Sequence, residues 1–585
     1  MTDELKRHYD VIIVGAGLAG LSLAAQLLKY TKQPNILLLD KWEDPPRPTQ
    51  KVGESLVQVS GYYFSKILDL EDYLMINHYL KYNLRFYWQT GTGDDFWEDV
   101  SSSSIRIISN IPNYQLDRNK LEQHLMWRNK QDARFQFVGG VRDINVDLSE
   151  NDDPHTVSFN KGTTKCTWIV DTSGRSSVLK RKLELQKESP IKHGATWCWV
   201  EGLVNYEKFT DHTWTEILKD PARQKTGHFP YVNATSHFCG KGRWFWVIPL
   251  HNITSLGLVF EHDSVNPEEV SSAKKMIEWV CKDWPMFARD LPNRKVVDEG
   301  RYISYAHDCK QTISAHRWAL AGEAGRFTDP LYSPGSDLIA IYNTLIVDAI
   351  ETTDKAALEE KVVMAEQIER AMYEAYVPTY ALSYNALGDQ ECFTMKYAWE
   401  LAVYFGFYVM PFLNQLFTNR QFMQTFLRRF AIFGPINKNV QQFISDFYKW
   451  KYANGVKPLQ DPHHIEYYSL TPLKESETLF YEVGITVAQA EDQIEKHVER
   501  MREFARYIYA HVYAVMLGDK KVLLNDAFVK SLKLRDVKFD PEKMRQDYAP
   551  FAGCEDVYEW KLNPFALEPF INARVEALSA AVSGD

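Results

Sequence analysis

The sequence predicts an α/β core, an inserted β-sheet and an all-helical C-terminal region. Two short apolar runs flank a helical segment within the first forty residues. Aromatic and β-branched runs separated by turn residues dominate from about 80 to 300, and helical periodicity dominates from about 340 onward. A chain of 585 residues is too long for one hydrophobic core, which agrees with several structural units.

The first forty residues predict a βαβ unit. Residues 9–14 (YDVIIV) and 35–40 (NILLLD) are continuous apolar runs of strand length, as expected of parallel strands buried on both faces. The segment 18–30 (LAGLSLAAQLLKY) between them has helical composition. This order places a strand, a helix and a second strand in sequence.

The middle of the chain predicts strands. The runs RFYWQ (85–89), RIISNI (106–111), FQFVGGV (135–141), TWIVDTSG (167–174), TWCWVEGLV (196–204) and RWFWVIPL (243–250) are rich in β-branched and aromatic residues. We expect core segments at 1–190 and 300–395, interleaved with strands of the inserted sheet, which itself occupies 191–299. Residues 396–585 form the predicted helical region.

The clearest predicted helix covers 486–517. Apolar residues recur there at alternating steps of three and four, which buries one face, and Gly518 is expected to end the helix. A coiled-coil partner or the protein's own core would both explain the apolar stripe, and the sequence favours the core.

Composition and charge exclude several classes of protein. The net charge is −10 and no long basic run occurs, which argues against nucleic-acid binding. The N-terminus lacks the pattern of a signal peptide, and the apolar stretch 401–417 is interrupted by Pro411 and Asn414. Seven scattered cysteines without CxxC predict neither disulfides nor a metal site. We therefore expect a soluble cytoplasmic protein. The aromatic content of 14% suggests a large aromatic-lined pocket.

A glycine motif follows the first predicted strand. Gly15, Gly17 and Gly20 (GAGLAG) permit a tight turn, close approach of a pyrophosphate and tight packing of helix on strand. The N-terminus of the next helix would face the phosphates. Asp40 ends the second strand, where a carboxylate accepts ribose hydroxyls. The motif predicts dinucleotide binding and does not by itself distinguish FAD from NAD.

Two later segments favour FAD. Residues 168–176 (WIVDTSGRS) and 318–330 (WALAGEAGRFTDP) each combine a short strand with a glycine turn and an acid. With the first motif they resemble the three fingerprints of glutathione-reductase-type flavoproteins, and most closely the branch of aromatic hydroxylases and halogenases. The resemblance implies that Glu323 or Asp329 faces the flavin and that Arg118 lies near it. No second βαβ unit with its own glycine motif occurs, so a separate reductase is expected to supply reduced flavin.

The segment 244–249 (WFWVIP) narrows the resemblance. Trp244, Trp246 and Ile248 share one face of a predicted strand that ends at Pro249. Burial of that face explains the pattern structurally, whatever the function of the protein. The pattern also looks like the WxWxIP motif of flavin-dependent halogenases. In that family the motif lies along the passage between flavin and substrate, so Trp244, Trp246 and Pro249 are predicted to form an aromatic wall.

A lysine is the expected catalytic residue. In halogenases a flavin peroxide reacts with halide to give hypohalous acid, which a tunnel lysine presents to the aromatic substrate. Lys51 precedes Gly53, Glu54 and Ser55, which resemble the family's loop near the flavin, whereas Lys81 lies where the family places its reactive lysine. We predict Lys81 as the catalytic residue and Lys51 as a loop residue that orients or neutralises the cofactor. An exposed surface lysine is the alternative explanation of Lys81.

The resemblance implies a set of cofactor-binding residues. These are Gly15, Gly17, Leu18, Ala19, Gly20, Asp40, Lys41, Lys51, Gly53, Glu54, Ser55, Arg118, Asp171, Gly174, Glu323 and Asp329.

The segment 327–340 (FTDPLYSPGSDLIA) resembles the halogenase loop that covers the flavin and binds halide. Its members Ser333, Pro334, Gly335 and Ser336 are predicted halide-loop residues, although Pro334 has no N–H to donate. Tyr332 stands where tryptophan halogenases have a glutamate. The missing acid disfavours tryptophan as substrate and fits phenols or pyrroles, and the sequence does not identify a base.

The main hypothesis is a two-component halogenase that uses reduced FAD, O2 and chloride or bromide on an electron-rich aromatic. The length of the helical region favours a free phenol over a carrier-tethered substrate. An FAD monooxygenase that hydroxylates the ring and a non-catalytic flavin-binding protein are the alternatives. The adjacent His463 and His464 are interpreted as loop residues and not as metal ligands.

Overall fold

The structure is a computed structural model that describes residues 4–32, 34–47, 49, 51–105, 107–151, 153–219, 232–459 and 463–583. Within these ranges, twenty strands lie in four sheets, two of eight strands and two of two strands, and most of the α-helices follow residue 333. This is the mixed α/β architecture with a helical C-terminal region that the sequence predicts. None of the helices in the described ranges is long and apolar enough to cross a membrane.

The first sheet is built around the strand His8–Val14. That strand pairs in parallel with Gly162–Asp171 on one side and with Ile36–Leu39 on the other. The sheet also contains Phe135–Val138, Asn145–Asp147, His155–Phe159, Ile313–Ser314 and Trp318–Leu320. Helix Leu18–Tyr30 connects the first two strands, which confirms the predicted βαβ unit.

The second sheet is mainly antiparallel and runs beyond the predicted range 191–299. Its strands, from one edge to the other, are Val296–Tyr302, His193–Glu201, Ile253–Glu261, Arg243–Leu250, Thr235–Gly240, Leu84–Gln89, Val100–Ser104 and His464–Glu466. Two short sheets add Tyr79–Lys81 with Asn113–Gln115, and Gln186–Lys187 with Asp308–Cys309. The second sheet thus draws strands from distant parts of the chain.

The strand predicted at 106–111 is wrong. Ile107 and Ile108 are 59% and 40% exposed and lie outside any strand, while Arg106 falls outside the described residues. The strand is instead Val100–Ser104, whose serine-rich sequence has little strand signal. It forms because it pairs with Leu84–Gln89 and with His464–Glu466.

The helical region packs against the second sheet. Its helices are Pro334–Ile350, Lys355–Ala381, Gln390–Tyr404, Met410–Leu413, Arg420–Ala453, Thr471–Phe480, Val487–Leu517, Asp526–Ser531, Pro541–Tyr548 and Glu568–Ser583. The earlier helices are Leu18–Tyr30, Gln58–Tyr62, Glu71–Asn77, Arg118–Asn129, Val178–Lys182, Trp214–Lys219 and Ala273–Asp283. Trp88 donates a hydrogen bond to the carbonyl of Leu387 at 2.9 Å, which ties the sheet to these helices.

Helix Val487–Leu517 matches its prediction. Thr486 caps its N-terminus, and Gly518 ends it in the left-handed conformation with φ of 63°. The predicted apolar stripe, including Ile494, Met501 and Ile508, is buried in the largest core of the protein. This stripe packs inside the chain, as favoured from the sequence.

Candidate active site

The glycine turn is built by close backbone packing. Gly15 has φ of +112°, and a Cβ there would lie 2.5 Å from the carbonyl oxygen of Thr172. A Cβ on Gly20 would lie 2.1 Å from the carbonyl oxygen of Gly15, so both positions exclude side chains. A Cβ on Gly17 would meet nothing within 4 Å. Gly17 therefore leaves open space at the start of the helix, as a dinucleotide requires.

Asp40 holds the glycine turn in place, and Asp171 holds the neighbouring loop after strand Gly162–Asp171. Asp40 accepts hydrogen bonds from the backbone N–H of Ala16 at 2.7 Å and of Trp42 at 2.8 Å. Asp171 is fully buried and accepts from the N–H groups of Ser173 and Leu179. Both predicted cofactor ligands thus act on the protein backbone, and Lys41 beside them is exposed over the ring of Trp42.

A cavity, here called the first cavity, opens beside the glycine turn. It brings together residues from all three predicted fingerprints and from the aromatic wall. The predicted site residues that line it are Gly17, Leu18, Ala19, Gly53, Glu54, Ser55, Arg118, Gly174, Glu323, Trp244, Trp246, Ser333, Gly335 and Ser336. The open space at Gly17 within this cavity fits a dinucleotide.

Arg118 and Lys51 share one carboxylate. Arg118 lines the first cavity, donates to the carbonyl of Val52 at 2.8 Å and forms an ion pair with Glu122 at 2.6 Å. Lys51 pairs with the same Glu122 and lies outside the lining of the cavity. Lys51 therefore neutralises an acid behind the loop at 51–55.

Of the two acids expected to face the flavin, Glu323 lines the cavity and Asp329 does not. Burial raises the pKa of Glu323, against the opposing charges of Arg175 and Arg118. Asp329 is fully buried and contacts the imidazole of His193 at 2.7 Å and the hydroxyl of Tyr305. It also accepts from the N–H of Leu331, which fixes the loop that follows.

The tryptophan wall lies in strand Arg243–Leu250. Trp244 donates to the hydroxyl of Tyr384 at 2.6 Å, and Trp246 donates to Ser255 at 3.0 Å. Gly257 pairs with Trp246 across the sheet, and a Cβ there would overlap the indole ring at 2.2 Å. Pro249 is buried in the strand and does not line the cavity. The indole rings are thus held rigidly at the cavity wall.

The predicted halide loop turns sharply into a helix. Tyr332 and Ser333 have φ of 69° and 60°, left-handed values that are uncommon for residues other than glycine. Helix Pro334–Ile350 starts at once, and Gly335 and Ser336 belong to its first turn, where N–H groups have no acceptor within the helix. These N–H groups and the helix dipole favour an anion at the rim of the first cavity.

Lys81 is fully buried at the boundary of this site. Its Nζ donates to Ser55 Oγ at 3.0 Å and to the carbonyl of Leu56, so both hydrogen-bond partners are neutral. Burial lowers its pKa to about 7, and the nearby charge of Asp337 opposes that shift. The alternative of an exposed surface lysine is excluded.

A second cavity adjoins Lys81. It is lined mainly by apolar and aromatic residues of the helical region and by three charged side chains. Its lining comprises Val57, Gln58, Lys81, Asn83, Leu84, Ile105, Asn113, Tyr332, Pro334, Asp337, Ala375, Tyr376, Thr379, Tyr397, Glu400, Leu401, Val403, Tyr404, Tyr408 and Asn437. Ser55 lines the first cavity and Lys81 the second, and Ser333 and Pro334 are likewise divided between them.

Sequence reasoning missed two acids of the second cavity. Asp337 accepts from the N–H of Ser60 at 2.8 Å and from the hydroxyl of Tyr404 at 2.5 Å, and burial raises its pKa to about 6. Glu400 lies near the end of helix Gln390–Tyr404. Both acids stand inside otherwise apolar segments, and this feature of the sequence could have identified them as candidate site residues.

His463 and His464 contact neighbouring serines. Their Nδ1 atoms lie 3.1 Å from Ser101 Oγ and 2.9 Å from Ser102 Oγ, respectively. His464 begins a short strand and is therefore not a loop residue. Within the described residues, no cluster of histidine, cysteine and acidic side chains has the arrangement of a metal site.

Sequence comparison relates the chain to characterised halogenases. It is 26% identical over 452 residues to the flavin-dependent halogenase chlA of Dictyostelium discoideum, which covers 71% of this chain and 72% of that protein. It is 28% identical over 406 residues to the tetracycline 7-halogenase of Kitasatospora aureofaciens, with 63% and 68% covered. The Lycopene cyclase protein family model matches residues 10–67, the region of the βαβ unit and the loop after it.

The fold is similar to that of solved halogenase structures. The halogenase PltM in complex with phloroglucinol and FAD aligns over 85% of this chain and 96% of its own, with a TM-score of 0.57 and 18% identity. The flavin-dependent halogenase CmlS aligns over 85% of this chain and 78% of its own, with a TM-score of 0.51 and 17% identity. The comparisons confirm the resemblance to flavin-dependent halogenases and support the interpretation of the chain as an FAD-dependent halogenase.

Proposed function

We propose that this FAD-dependent halogenase is a two-component enzyme that installs chloride or bromide on a free phenol. Lys81 would be the residue that presents the electrophilic halogen to the ring. Reduced FAD, reacting with O2, supplies the oxidising equivalent that turns halide into hypohalous acid. The other steps below concern the residues of this chain.

The observation that carries the proposal is the position of Lys81 between the two cavities. Its ammonium is bonded to Ser55, which lines the first cavity, and the side chain itself lines the second. A pKa of about 7 leaves part of the lysine neutral near neutral pH. A lysine in that state can hydrogen-bond hypohalous acid or be halogenated on nitrogen, and water is excluded around it.

The first cavity is suited to hold FAD and halide. Gly17 leaves room for the pyrophosphate, and Arg118 and Glu323 line the same space. The first-turn N–H groups of Gly335 and Ser336 would bind halide, because Pro334 has none to donate. Trp244 and Trp246 would keep water from the passage between the cavities.

The second cavity supports a phenol as substrate. Aromatic rings of Tyr332, Tyr376 and Tyr397 line it, and the helical region closes it. Tyr332, and not an acid, follows Leu331 in the loop, so the ring must be activated by its own substituent. A phenol does this through its oxygen. PltM, whose structure holds phloroglucinol and FAD, and the tetracycline 7-halogenase are consistent with this class.

A separate reductase completes the proposal. The sequence contains one glycine motif of the βαβ type, and the first cavity accounts for it. Reduced FAD would then reach the enzyme from solution.

The test of the proposed function is a turnover assay with FAD, a generic flavin reductase, NADH and bromide. Simple phenols, pyrroles and indoles are offered, and the products are analysed by mass spectrometry. We expect a bromine isotope doublet that depends on bromide and is strongest with phenols. A hydroxylated product without bromine would identify a monooxygenase instead, and the absence of a brominated product from every ring offered would contradict halogenation.

Replacement of Lys81 tests its role. Lys81→Ala should lower halogenation at least about 100-fold while FAD binding and the oxidation of reduced flavin by O2 persist, because the residue acts after the flavin step. Product is measured by mass spectrometry and flavin oxidation by absorbance. Lys180→Met is the matched control, since Lys180 is also a buried lysine but lines neither cavity. Halogenation retained in Lys81→Ala would refute the assignment.

A further inference from the structure

Three polar atoms in the second cavity are buried without a hydrogen-bond partner. They are the hydroxyl of Tyr332, Oε2 of Glu400 and Oδ1 of Asn113. Buried polar atoms are almost always hydrogen-bonded in folded proteins. A group of such atoms around one cavity therefore indicates the polar part of a ligand.

Glu400 is the charged member of this group, and its orientation is fixed. Oε1 accepts from Gln441 Nε2 at 2.7 Å and from the ammonium of Lys396, one turn earlier on the same helix. Lys396 also donates to the carbonyl of Thr379 at 3.0 Å, and Ser383 holds Gln441 from its other side. All of these contacts use Oε1, and Oε2 takes part in none of them. The hydroxyl of Tyr332 lies close to the Glu400 carboxylate, whose charge adds to the effect of burial in raising the pKa of the tyrosine, so the two groups together form the polar part of the cavity.

The side chain of Glu400 is 9% exposed, and its partner Lys396 is fully buried. A carboxylate in such surroundings is costly unless its oxygens are paired. Lys396 compensates the charge, but one oxygen still lacks the hydrogen bond that water would have given. A donor supplied by the substrate would satisfy it.

We infer that Glu400 Oε2 binds the hydroxyl group of the aromatic substrate and takes up its proton. This inference rests on the proposed function and deepens it, because it names the hydroxyl as the group that is recognised. The ring would then lie between Glu400 and Lys81, which line the same cavity. The phenolic hydroxyl of Tyr332 is a further contact for the substrate oxygen.

In the proposed reaction the phenol is first ionised and then halogenated. The O–H bond of the phenol breaks, its proton passes to Glu400 Oε2, and the electron pair stays on oxygen and enriches the ortho and para carbons. One of these carbons forms a C–X bond with hypohalous acid held at Lys81, and hydroxide leaves. The ring proton is lost as aromaticity returns and combines with hydroxide to give water. Glu400 returns its proton to the halogenated phenolate.

The first measurement is binding to the FAD-bound enzyme. Resorcinol carries two hydroxyl donors, and 1,3-dimethoxybenzene keeps the ring and both oxygens but has methyl groups in place of the hydroxyl hydrogens. The wild type should bind resorcinol more tightly than the ether. Glu400→Gln should raise the dissociation constant of resorcinol roughly tenfold and leave that of the ether unchanged, since a charged acceptor is replaced by a neutral one. Isothermal titration gives both dissociation constants.

The second measurement is the pH profile of bromination. With resorcinol at neutral pH, Glu400→Gln should reduce kcat at least about 100-fold, because no base ionises the hydroxyl. The loss should shrink as the pH approaches the pKa of a phenol, about 10, where solvent supplies the phenolate. A purely structural role of Glu400 would give a loss independent of pH and would also weaken binding of the ether.

Glu477→Gln is the matched control. Glu477 is also buried with Oε2 unpartnered, but it does not line the cavity. This variant should keep the preference for resorcinol and the rate. If Glu400→Gln does not fold, Glu400→Asp retains the charge beside Lys396, withdraws the oxygen from the cavity and should give the same losses.

The outcomes separate the two proposals. Absence of bromination in the wild type would contradict the proposed function itself. Bromination of resorcinol by Glu400→Gln with wild-type rate and preference would overturn the role of Glu400 and leave the halogenase intact.

Discussion

At the scale of single residues, Lys81 is held at an energetic cost. Its side chain is buried, and its ammonium is bonded to two neutral oxygens, which compensate a charge poorly. Burial therefore favours the neutral amine, which explains the lowered pKa. Asp337, with a pKa raised to about 6, opposes this only in part.

This cost predicts how stability depends on pH. The pKa of Lys81 falls from 10.5 to about 7 on folding, so between these values the unfolded chain binds a proton that the folded chain does not. The free energy of unfolding contributed by Lys81 therefore rises with pH across that window. Lys81→Met should exceed the wild type in stability most at pH 6, and the advantage should shrink by pH 9.

Urea unfolding at several pH values of the FAD-free protein measures this difference. Lys32→Met, which removes an exposed lysine, is the control. An advantage of Lys81→Met that does not change between pH 6 and pH 9 would contradict the lowered pKa.

The sequence predicted single residues where a local motif surrounds them. Gly17, Arg118 and Ser55 line the first cavity. Their positions could be predicted because each belongs to a short sequence pattern with a known place beside a nucleotide. Asp329 and Glu323 lie only six residues apart, and their separation depends on His193 and Tyr305, which come from the second sheet and the segment after it. Glu400 belongs to no motif, and only packing of three helices brings it to the cavity.

At the scale of elements, two helices are each followed by a glycine in the left-handed conformation, and the surroundings of these two glycines differ. Gly518 ends Val487–Leu517, and a Cβ there would lie 2.6 Å from Leu578 Cδ1 on the C-terminal helix. Gly455, with φ of +61°, follows Arg420–Ala453, and a Cβ there would meet nothing within 4 Å. Comparing substitutions at the two glycines therefore separates the cost of backbone strain from the cost of disturbed helix packing.

Alanine at both positions should lower stability to different degrees. Gly455→Ala should cost about 1–2 kcal/mol, the strain of a left-handed residue with a Cβ. Gly518→Ala should cost more, because Leu578 must also move. Thermal unfolding monitored by circular dichroism measures both, and equal losses would show that Leu578 gives way freely.

Elements were predictable where periodicity was strong and local. Helix Val487–Leu517 carries its own cap, stripe and terminating glycine, so both ends were predicted from the sequence. Strand Val100–Ser104 is almost entirely serine, and it exists because neighbours on both sides pair with it. Its pairing with His464–Glu466 joins residues more than 300 positions apart and leaves no local signal.

At the scale of the whole molecule, the first cavity joins parts of the chain that are far apart in sequence. The glycine turn, the loop at 51–55, the tryptophan wall and the start of helix Pro334–Ile350 all line it. A dinucleotide bound there would contact each part at once. Binding should therefore stabilise the entire fold and not only the first sheet.

Addition of FAD should raise the melting temperature of the wild type. At 100 times its dissociation constant, a ligand that binds only the folded state adds about 2.7 kcal/mol to the free energy of unfolding. Gly17→Val should abolish this gain, because the side chain would fill the space of the pyrophosphate. Gly553→Val, at an exposed glycine with equally open space, should keep it. An undiminished gain in Gly17→Val would place FAD elsewhere.

The overall architecture was predictable and the second cavity was not. The order of strand-rich and helix-rich regions can be predicted from the composition of consecutive segments. The cavity depends on how Lys355–Ala381, Gln390–Tyr404 and Arg420–Ala453 pack, and their aromatic residues look alike whether they fill a core or line a space. Tyr397 lines the cavity, while Trp399, two residues later, does not.

The division between the two cavities has a consequence for protein engineering. The first cavity is lined by loops, strands and the N-terminal parts of helices Leu18–Tyr30 and Pro334–Ile350. Ala375, Leu401, Val403 and Tyr408 belong to the helical region and line only the second cavity. Directed evolution confined to these four positions would reshape the choice of ring without altering flavin chemistry. Substrate scope and oxidative power are thereby separately evolvable traits in this chain.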